Sequence, residues 1–383
     1  MKITGYRTLS TRHAWNRSIG DVNGHIRHAV TEIPIVIVET DAGIEGVGVG
    51  SHADLDRLFP ALLGEDPRAV TALFDRMTAQ VFKSGHAGAT YGGLATLDAA
   101  LWDIKAKAAG EPLWRLLGAR DKFVPGYASG LDIALDDDEL AAFYATFAER
   151  GYVAGKLKGG LDFEADLRRL GILADAFRGN TSTPGLMIDA NESWQVKQAV
   201  RYVAALEEHV DLLWVEEPLR RWDAAGHARL SNAVRSAIAT GENLTGVDQF
   251  RGLFDAGAPD IVQAGAIWGV SHFVRLSFAA AARDLPVSIV GYNANPAVAA
   301  AAAAVPNHLT TEVQDVRFAP GLVVDHEFID GGIVLGDEPG AGIKVDEAAI
   351  VAASVGEGWE STAGPHMRPD RAGLRLLLDG VER

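Results

Sequence analysis

Three acidic residues close three successive apolar runs. Asp189 ends Leu186–Asp189, Glu216 ends Leu212–Glu216, and Glu242 follows Ile238–Thr240. They stand 27 and 26 residues apart, about the length of one strand-plus-helix unit, which would set them at equivalent places on three successive strands of a barrel. Carboxylates brought together without a cation repel one another. A hard divalent ion resolves that conflict, and an oxygen-only set without Cys or His fits Mg²⁺, one ion per subunit, better than Zn²⁺. Singly, each acid reads better as a helix cap or a surface charge than as a ligand; in register, the three point to a metal.

Two lysines stand one strand upstream, in Val153–Gly160 (VAGKLKGG). Alternation along a strand turns Lys156 and Lys158 to the same side. Two ammonium groups held close lower each other's pKa, so one of them can serve as a base near neutral pH.

These residues need a frame, and the rest of the chain supplies one. From Val124 onward, short apolar runs alternate with helix-length amphipathic segments: 124–129, 153–158, 186–189, 212–216, 238–240, 261–263, 287–290 and 309–312. Repeated strand-helix units imply a parallel sheet closing into a barrel, with its chemistry at the carboxyl ends of the strands. The first part reads as α+β. Ile33–Glu39 and Ile44–Gly50 form a hairpin about Asp41-Ala42-Gly43, helices follow over 67–78 and 94–109, and the glycine-rich stretch 83–93 between them reads as a loop. The predicted organisation is a capping domain over 1–123, a barrel over 124–316, and a segment over 317–383 that returns to the cap, with a helix near 346–353.

Composition narrows the function. The chain has 383 residues, 35 basic and 51 acidic, for a net charge of −16. Such a surface repels phosphate backbones and anionic membranes, which argues against nucleic acid and membrane partners. A small anionic substrate stays compatible, because a bound cation reverses the local field. Without cysteine there is no disulfide, thiolate ligand or cysteine nucleophile. The N-terminus lacks a signal-peptide pattern, and the expected location is cytoplasmic.

The ordered set of Lys156 and Lys158, Asp189 and Asn191, Glu216-Glu217-Pro218 and Gly241-Glu242-Asn243 resembles the enolase superfamily, in its mandelate racemase-like branch. Ala99–Lys105 (AALWDIK) and Pro112–Gly118 (PLWRLLG) look like that family's capping domain. The resemblance implies an α/β fold, a modified TIM barrel (β/α)₇β under an α+β cap. It also implies Mg²⁺ on Asp189, Glu216 and Glu242, Lys158 as the base that takes the proton alpha to a carboxylate, and Lys156 as its tuning partner. Relatives commonly form symmetric assemblies, so the expected state is a homo-oligomer acting on a small carboxylate.

The chain departs from the pattern where relatives carry a second acid/base. An Asp after the sixth strand is replaced by Gly265, and no His follows the seventh. A racemase needs groups on both faces of the enediolate, whereas syn-dehydration can use one lysine twice. The expected reaction is therefore a hydro-lyase dehydration of an acid sugar or other hydroxy acid. The alternatives are racemisation, epimerisation or cycloisomerisation through the same enediolate, and a metal-containing binding protein that has lost turnover. Glu312, ending the eighth strand, reads either as a protonated carboxyl that contacts the substrate carboxylate or as a buried salt-bridge partner. Asn191, Tyr292 and Asn293 are further candidate substrate contacts, and Tyr292 is also a candidate second acid. His52 and Arg17, with Trp15, His13, His25, His28 and His86, lie in segments expected to cover the barrel mouth.

Overall fold

Ile3–Ala14 forms a strand, β1, that the sequence reading does not predict. The computed structural model describes residues 1–27 and 29–354; His28 and the expected C-terminal segment beyond 354 lie outside the described residues. A small hairpin, β2 (Ile19–Asp21) and β3 (Gly24–Ile26), follows β1. β1 runs antiparallel to β4 (Val30–Thr40), with Leu9 opposite Ile35 and Tyr6 opposite Val38, and β4 turns into β5 (Gly46–Val49). The glycines of β5 have a packing reason. A Cβ at Gly46 would lie 2.1 Å from the Ala100 carbonyl oxygen, and one at Gly48 would lie 2.0 Å from that of Thr96, so only bare backbone lets the cap's long helix press on the sheet.

The cap continues through α1 (Leu55–Leu58), α2 (Val70–Gln80), α3 (Ala89–Ala109) and α4 (Leu113–Leu116). α3 begins five residues before the predicted start and takes in Gly92 and Gly93, correcting the loop expected there. A Cβ at Gly93 would meet the Ala53 carbonyl oxygen at 1.8 Å; close packing outweighs the low helix propensity of glycine.

Eight parallel strands then close on themselves: β6 (Phe123–Ser129), β7 (Ala154–Lys158), β8 (Gly185–Asp189), β9 (Leu212–Glu216), β10 (Ala237–Thr240), β11 (Ile261–Gly265), β12 (Val287–Val290) and β13 (His308–Val313), with β13 paired back to β6. The intervening helices are α5 (Asp137–Ala148), α6 (Phe163–Phe177), α7 (Val196–Leu206), α8 (Ala224–Ser231), α9 (Arg251–Asp255), α10 (Val270–Ala281) and α11 (Val298–Ala304). Alternation sorts the side chains. Val215, Val262 and Ile289 face the helices, while Tyr127, Met187, Trp214, Ala239 and Ile261 pack together inside the barrel as an apolar floor. Two residues further along β7, β8, β9 and β11 come Lys156, Asp189, Glu216 and Gln263, so the same faces that build the floor deliver the polar centre above it.

After β13 the chain forms β14 (Leu322–Val324), β15 (Glu327–Ile329), β16 (Gly332–Val334), β17 (Ile343–Val345) and α12 (Glu347–Ser354). β16 runs antiparallel to the start of β6, β14 pairs with β17, and Glu347 reaches Arg7 of β1. No helix among the described residues is long and apolar enough to cross a membrane.

Candidate active site at the barrel mouth

Register fixes the geometry. Lys158 stands opposite Asp189, and Asp189 opposite Glu216, at the ends of three adjacent strands. Glu216 ends β9 opposite Ala239 of β10, so Glu242 lies three residues beyond the equivalent position, past the end of its strand. Its placement is looser than equal spacing predicts.

Lys156 is wholly buried and meets three carboxylates: Glu216, Glu312 at 3.0 Å and Asp189 at 3.3 Å. Lys158 pairs with Asp189. The Lys158 backbone is clamped from below, its N–H donating to Asp132 Oδ1 at 3.0 Å and its carbonyl accepting from Arg169 Nη1 at 3.1 Å. Asp132 is held in turn by Tyr144 at 2.5 Å and Arg169 at 3.2 Å. Trp214 Nε1 and Gln263 Nε2 donate to Glu216 Oε2 at 3.1 and 2.6 Å, and the Asn191 backbone N–H donates to Asp189 Oδ1 at 2.9 Å.

Lys156 does depress Lys158, as expected, but the net balance runs the other way. Burial pushes the Lys158 ammonium down, and Lys156 adds to that, but Asp189 together with Glu312 and Glu242 outweighs both and the pKa is raised. Lys156 is likewise raised well above its ordinary value: burial pulls it down, and Glu216 and Glu312 overcome it. The carboxylates split. Asp189 drops to about 2, because Lys158 and Lys156 outweigh its burial. Burial lifts Glu216 to about 8 against the pull of Lys156, and burial and Asp189 lift Glu242 to about 7. Glu217, buried behind Glu242, is also raised, by burial first and Glu242 second. Five carboxylates thus surround two ammonium groups, a deficit of positive charge in a desolvated space.

The donor set fits a hard cation. It is all oxygen, and Glu242 Oε2 is buried with no hydrogen-bond partner, while Glu242 Oε1 accepts from Asn243 Nδ2 at 3.1 Å. With the ammonium groups seated on the acids, no three His, Asp or Glu side chains among the described residues form a metal-holding cluster. A cation and the two lysines compete for the same oxygens.

The other predicted residues divide. Asn191 sits beside Asp189, with a left-handed backbone (φ 42°), and Asn23 of the β2–β3 turn reaches its carbonyl at 3.5 Å. Glu312 lies in the centre as a salt-bridge partner of Lys156. Burial pushes its pKa up, but Lys156 and Lys158 bring it below the ordinary value. Tyr292 is not brought to the lysines. It is fully buried, its hydroxyl lies 2.6 Å from His326 Nδ1, and its ring packs on Phe318 and Phe328; the second-acid reading is corrected accordingly. Asn293 is tied to the chain after β13, donating to the Asp315 carbonyl at 2.8 Å and accepting from the Gln314 N–H at 3.1 Å. Arg17 stacks over Phe143 at 4.6 Å and donates to the Gly130 carbonyl just past β6. His52 bonds the Ile35 carbonyl at 3.0 Å within the cap, and His13 pairs with Asp315 at 3.0 Å.

Sequence reasoning misses Gln263, Trp214, Asp132 and Trp268. The first two share the inward parity of Glu216 and Ile261, a signal that was legible; Asp132 acts from a loop and Trp268 from the 3-10 turn Ala266–Trp268. Trp268 bears on the missing second acid/base. Its Nε1 donates to the Glu242 carbonyl at 2.5 Å, and a Cβ at Gly265 would lie 2.7 Å from that oxygen and 2.8 Å from the indole nitrogen. The space that a side chain at Gly265 would take is thus filled by an indole.

Comparison with known proteins agrees with this architecture. Residues 139–349 match the enolase C-terminal domain-like family, and residues 23–118 match the mandelate racemase/muconate lactonizing enzyme N-terminal domain. An L-talarate/galactarate dehydratase of Salmonella typhimurium is 34% identical over 64% of this chain and 65% of its own length. A 3,6-anhydro-α-L-galactonate cycloisomerase of Streptomyces coelicolor is 30% identical over 81% of this chain and 85% of its own. The crystal structure of a racemase from Streptomyces coelicolor with bound magnesium superposes with a TM-score of 0.81 at 26% identity, over 92% of this chain and 99% of that one.

Proposed function

This chain belongs to the enolase superfamily, in its mandelate racemase/muconate lactonizing enzyme branch, and from that premise we propose that it removes the proton alpha to a carboxylate of a small hydroxy acid and dehydrates it, with an acid sugar as substrate. The observation that carries the proposal is the pair Lys156 and Lys158 at the barrel mouth among Asp189, Glu216 and Glu312, facing strand ends that carry Gly265 and Gly291 instead of a second acid or base.

In this reading Asp189, Glu216 and Glu242 hold Mg²⁺, which when bound supplies positive charge to the carboxylate next to the reacting carbon. Freed of Asp189, Lys158 is the base: its neutral amine accepts the α-proton, leaving the enediolate. The same ammonium then protonates the β-hydroxyl, which departs as water, and the enol tautomerises to a keto acid. Lys156 orients the substrate carboxylate and, by its charge, favours the neutral form of Lys158. Asp132 and Arg169 hold the Lys158 backbone while its side chain exchanges the proton. The β2–β3 hairpin, bound through Gly20 N–H to the Leu131 carbonyl at 2.8 Å, covers the mouth and limits water. The capping, barrel and C-terminal divisions at 1–123, 124–316 and 317–383 describe the working parts. The reading also takes the enzyme to be a cytoplasmic homo-oligomer.

Cycloisomerisation or racemisation through the same enediolate is the second reading, favoured by the cycloisomerase and racemase among the similar proteins. Incubating a panel of acid sugars with Mg²⁺ in D₂O decides. Dehydration gives a keto acid and consumed substrate; recovered substrate carrying α-deuterium with inverted configuration supports isomerisation. Full turnover in Lys158→Ala would remove Lys158 from the role of base.

A further inference from the structure

Among the described residues, many cations of this acidic chain sit on acids: Arg7 on Glu39, Glu45 and Glu347, Arg168 on Asp137, Arg275 on Asp75. One groove gathers several that do not. Between α7 and α8 a cleft of about 1050 Å³ is lined by Lys197, Arg201, Arg220 and Arg229, with Asp223 as its one acid. Among the described residues none of these four cations has an ion pair. Asp223 is already committed, its Oδ1 accepting from Gly226 N–H at 2.8 Å to cap α8.

Two further features favour negative charge there. The first turn of the 11-residue α7 borders the cleft, and its N-cap, Gln195, makes no side-chain capping bond, so its N–H groups and the helix dipole remain available to an anion. Ser193, also lining the cleft, is more than nine-tenths buried, and its Oγ has no hydrogen-bond partner. Four like charges around one cavity repel one another, and a multivalent oxyanion relieves that repulsion while meeting the unpaired donors.

We propose that the α7–α8 groove is a binding site for a small multivalent oxyanion, a phosphate or a polycarboxylate, separate from the barrel mouth. It stands whether or not the proposed reaction is right, because none of its lining residues is a member of the lysine-carboxylate centre. It is adjacent to that centre: Ser193 follows Asp189 by four residues and Arg220 follows Glu216 by four. The two loops are laced by Glu192 N–H to the Glu217 carbonyl at 2.6 Å and by Trp194 N–H to the Pro218 carbonyl at 3.1 Å.

The test is calorimetric titration of the Mg²⁺-loaded full chain with inorganic phosphate, and separately with succinate, against chloride at matched ionic strength. The expected result is saturable binding of at least one of the two, weakened at least tenfold in the Arg201→Ala/Arg229→Ala double variant and unchanged in Lys158→Ala. Both arginines are exposed, so the double variant should keep its fold. Should it not, protection of Lys197 from acetylation by the same anions in the wild-type chain, read by mass spectrometry, gives a second measurement. Heat no larger than that of chloride, equal binding by the double variant, loss of binding in Lys158→Ala, or an unprotected Lys197 overturns the site.

Discussion

The indole N–H of Trp268 is bonded to the backbone carbonyl of Glu242 at 2.5 Å, coupling the outermost proposed metal ligand to a residue that packs edge-on against Tyr91 of the capping helix at 6.2 Å. Trp268→Phe keeps the ring and removes the bond. The expected outcome is a fall of about tenfold in Mg²⁺ affinity, as for other groups that orient a metal ligand, with the circular dichroism spectrum unchanged. Calorimetric titration with Mg²⁺ measures it, and an unaltered affinity would show that the bond does not position Glu242.

Gly265→Ala is expected to be costly for its size. The new Cβ would meet both the Glu242 carbonyl and the indole nitrogen at less than 3.0 Å, so backbone or ring must shift. Overpacking of this kind costs about 1–3 kcal/mol, readable as a lowered urea midpoint with an unchanged slope.

Lys156→Met tests the charge balance of the centre. Removing one partner of a buried ion pair costs about 3–5 kcal/mol, so the variant in EDTA should unfold at a clearly lower temperature than the wild type. Mg²⁺ should restore more stability to the variant than it adds to the wild type, because it no longer competes with Lys156 for Glu216. Equal gains in the two proteins would argue against a shared set of oxygens.

Asp315 predicts an acid limb of stability. Burial pushes its carboxyl up, but His13 and Arg317 more than offset this and hold it at about 2, below the ordinary carboxylate value. A depressed carboxyl stabilises the fold above its unfolded pKa, and the contribution is lost as pH falls from about 4 to about 2. The stability gap between wild type and Asp315→Asn, about 2 kcal/mol near neutrality, should close over that window. A gap independent of pH would place its origin elsewhere.

Tyr292→Phe removes only the bond to His326. About 1 kcal/mol of stability should be lost, with turnover kept within about twofold of wild type in any assay that detects the reaction. A loss of orders of magnitude would return Tyr292 to the chemistry.

The barrel was legible because its strands carry their signal locally: Leu212–Glu216 and Val287–Val290 coincide with the predicted runs, and alternation set both lysines inward. β1 was not, since Ile3–Ala14 alternates polar and apolar residues too irregularly to stand out before β4 is known to lie beside it. The start of α3 was hidden for the opposite reason, its glycines being chosen by the neighbouring backbone. Lys156, Lys158, Asp189 and Glu216 could be placed together from spacing alone. The protonation balance among them could not, because it depends on which carboxylate each ammonium reaches. Tyr292 was left open because a residue two steps past a strand can turn either to the mouth or to the chain beyond, and here His326, Phe318 and Phe328 receive it.

Tyr127, Met187, Trp214, Ala239 and Ile261 close the amino end of the barrel with almost no exposed surface. Among the described residues, traffic to the proposed reaction centre therefore has one doorway, at the carboxyl ends of the strands. Reactant and product must take turns in it, and a molecule lodged beneath the β2–β3 hairpin would block arrival and departure alike.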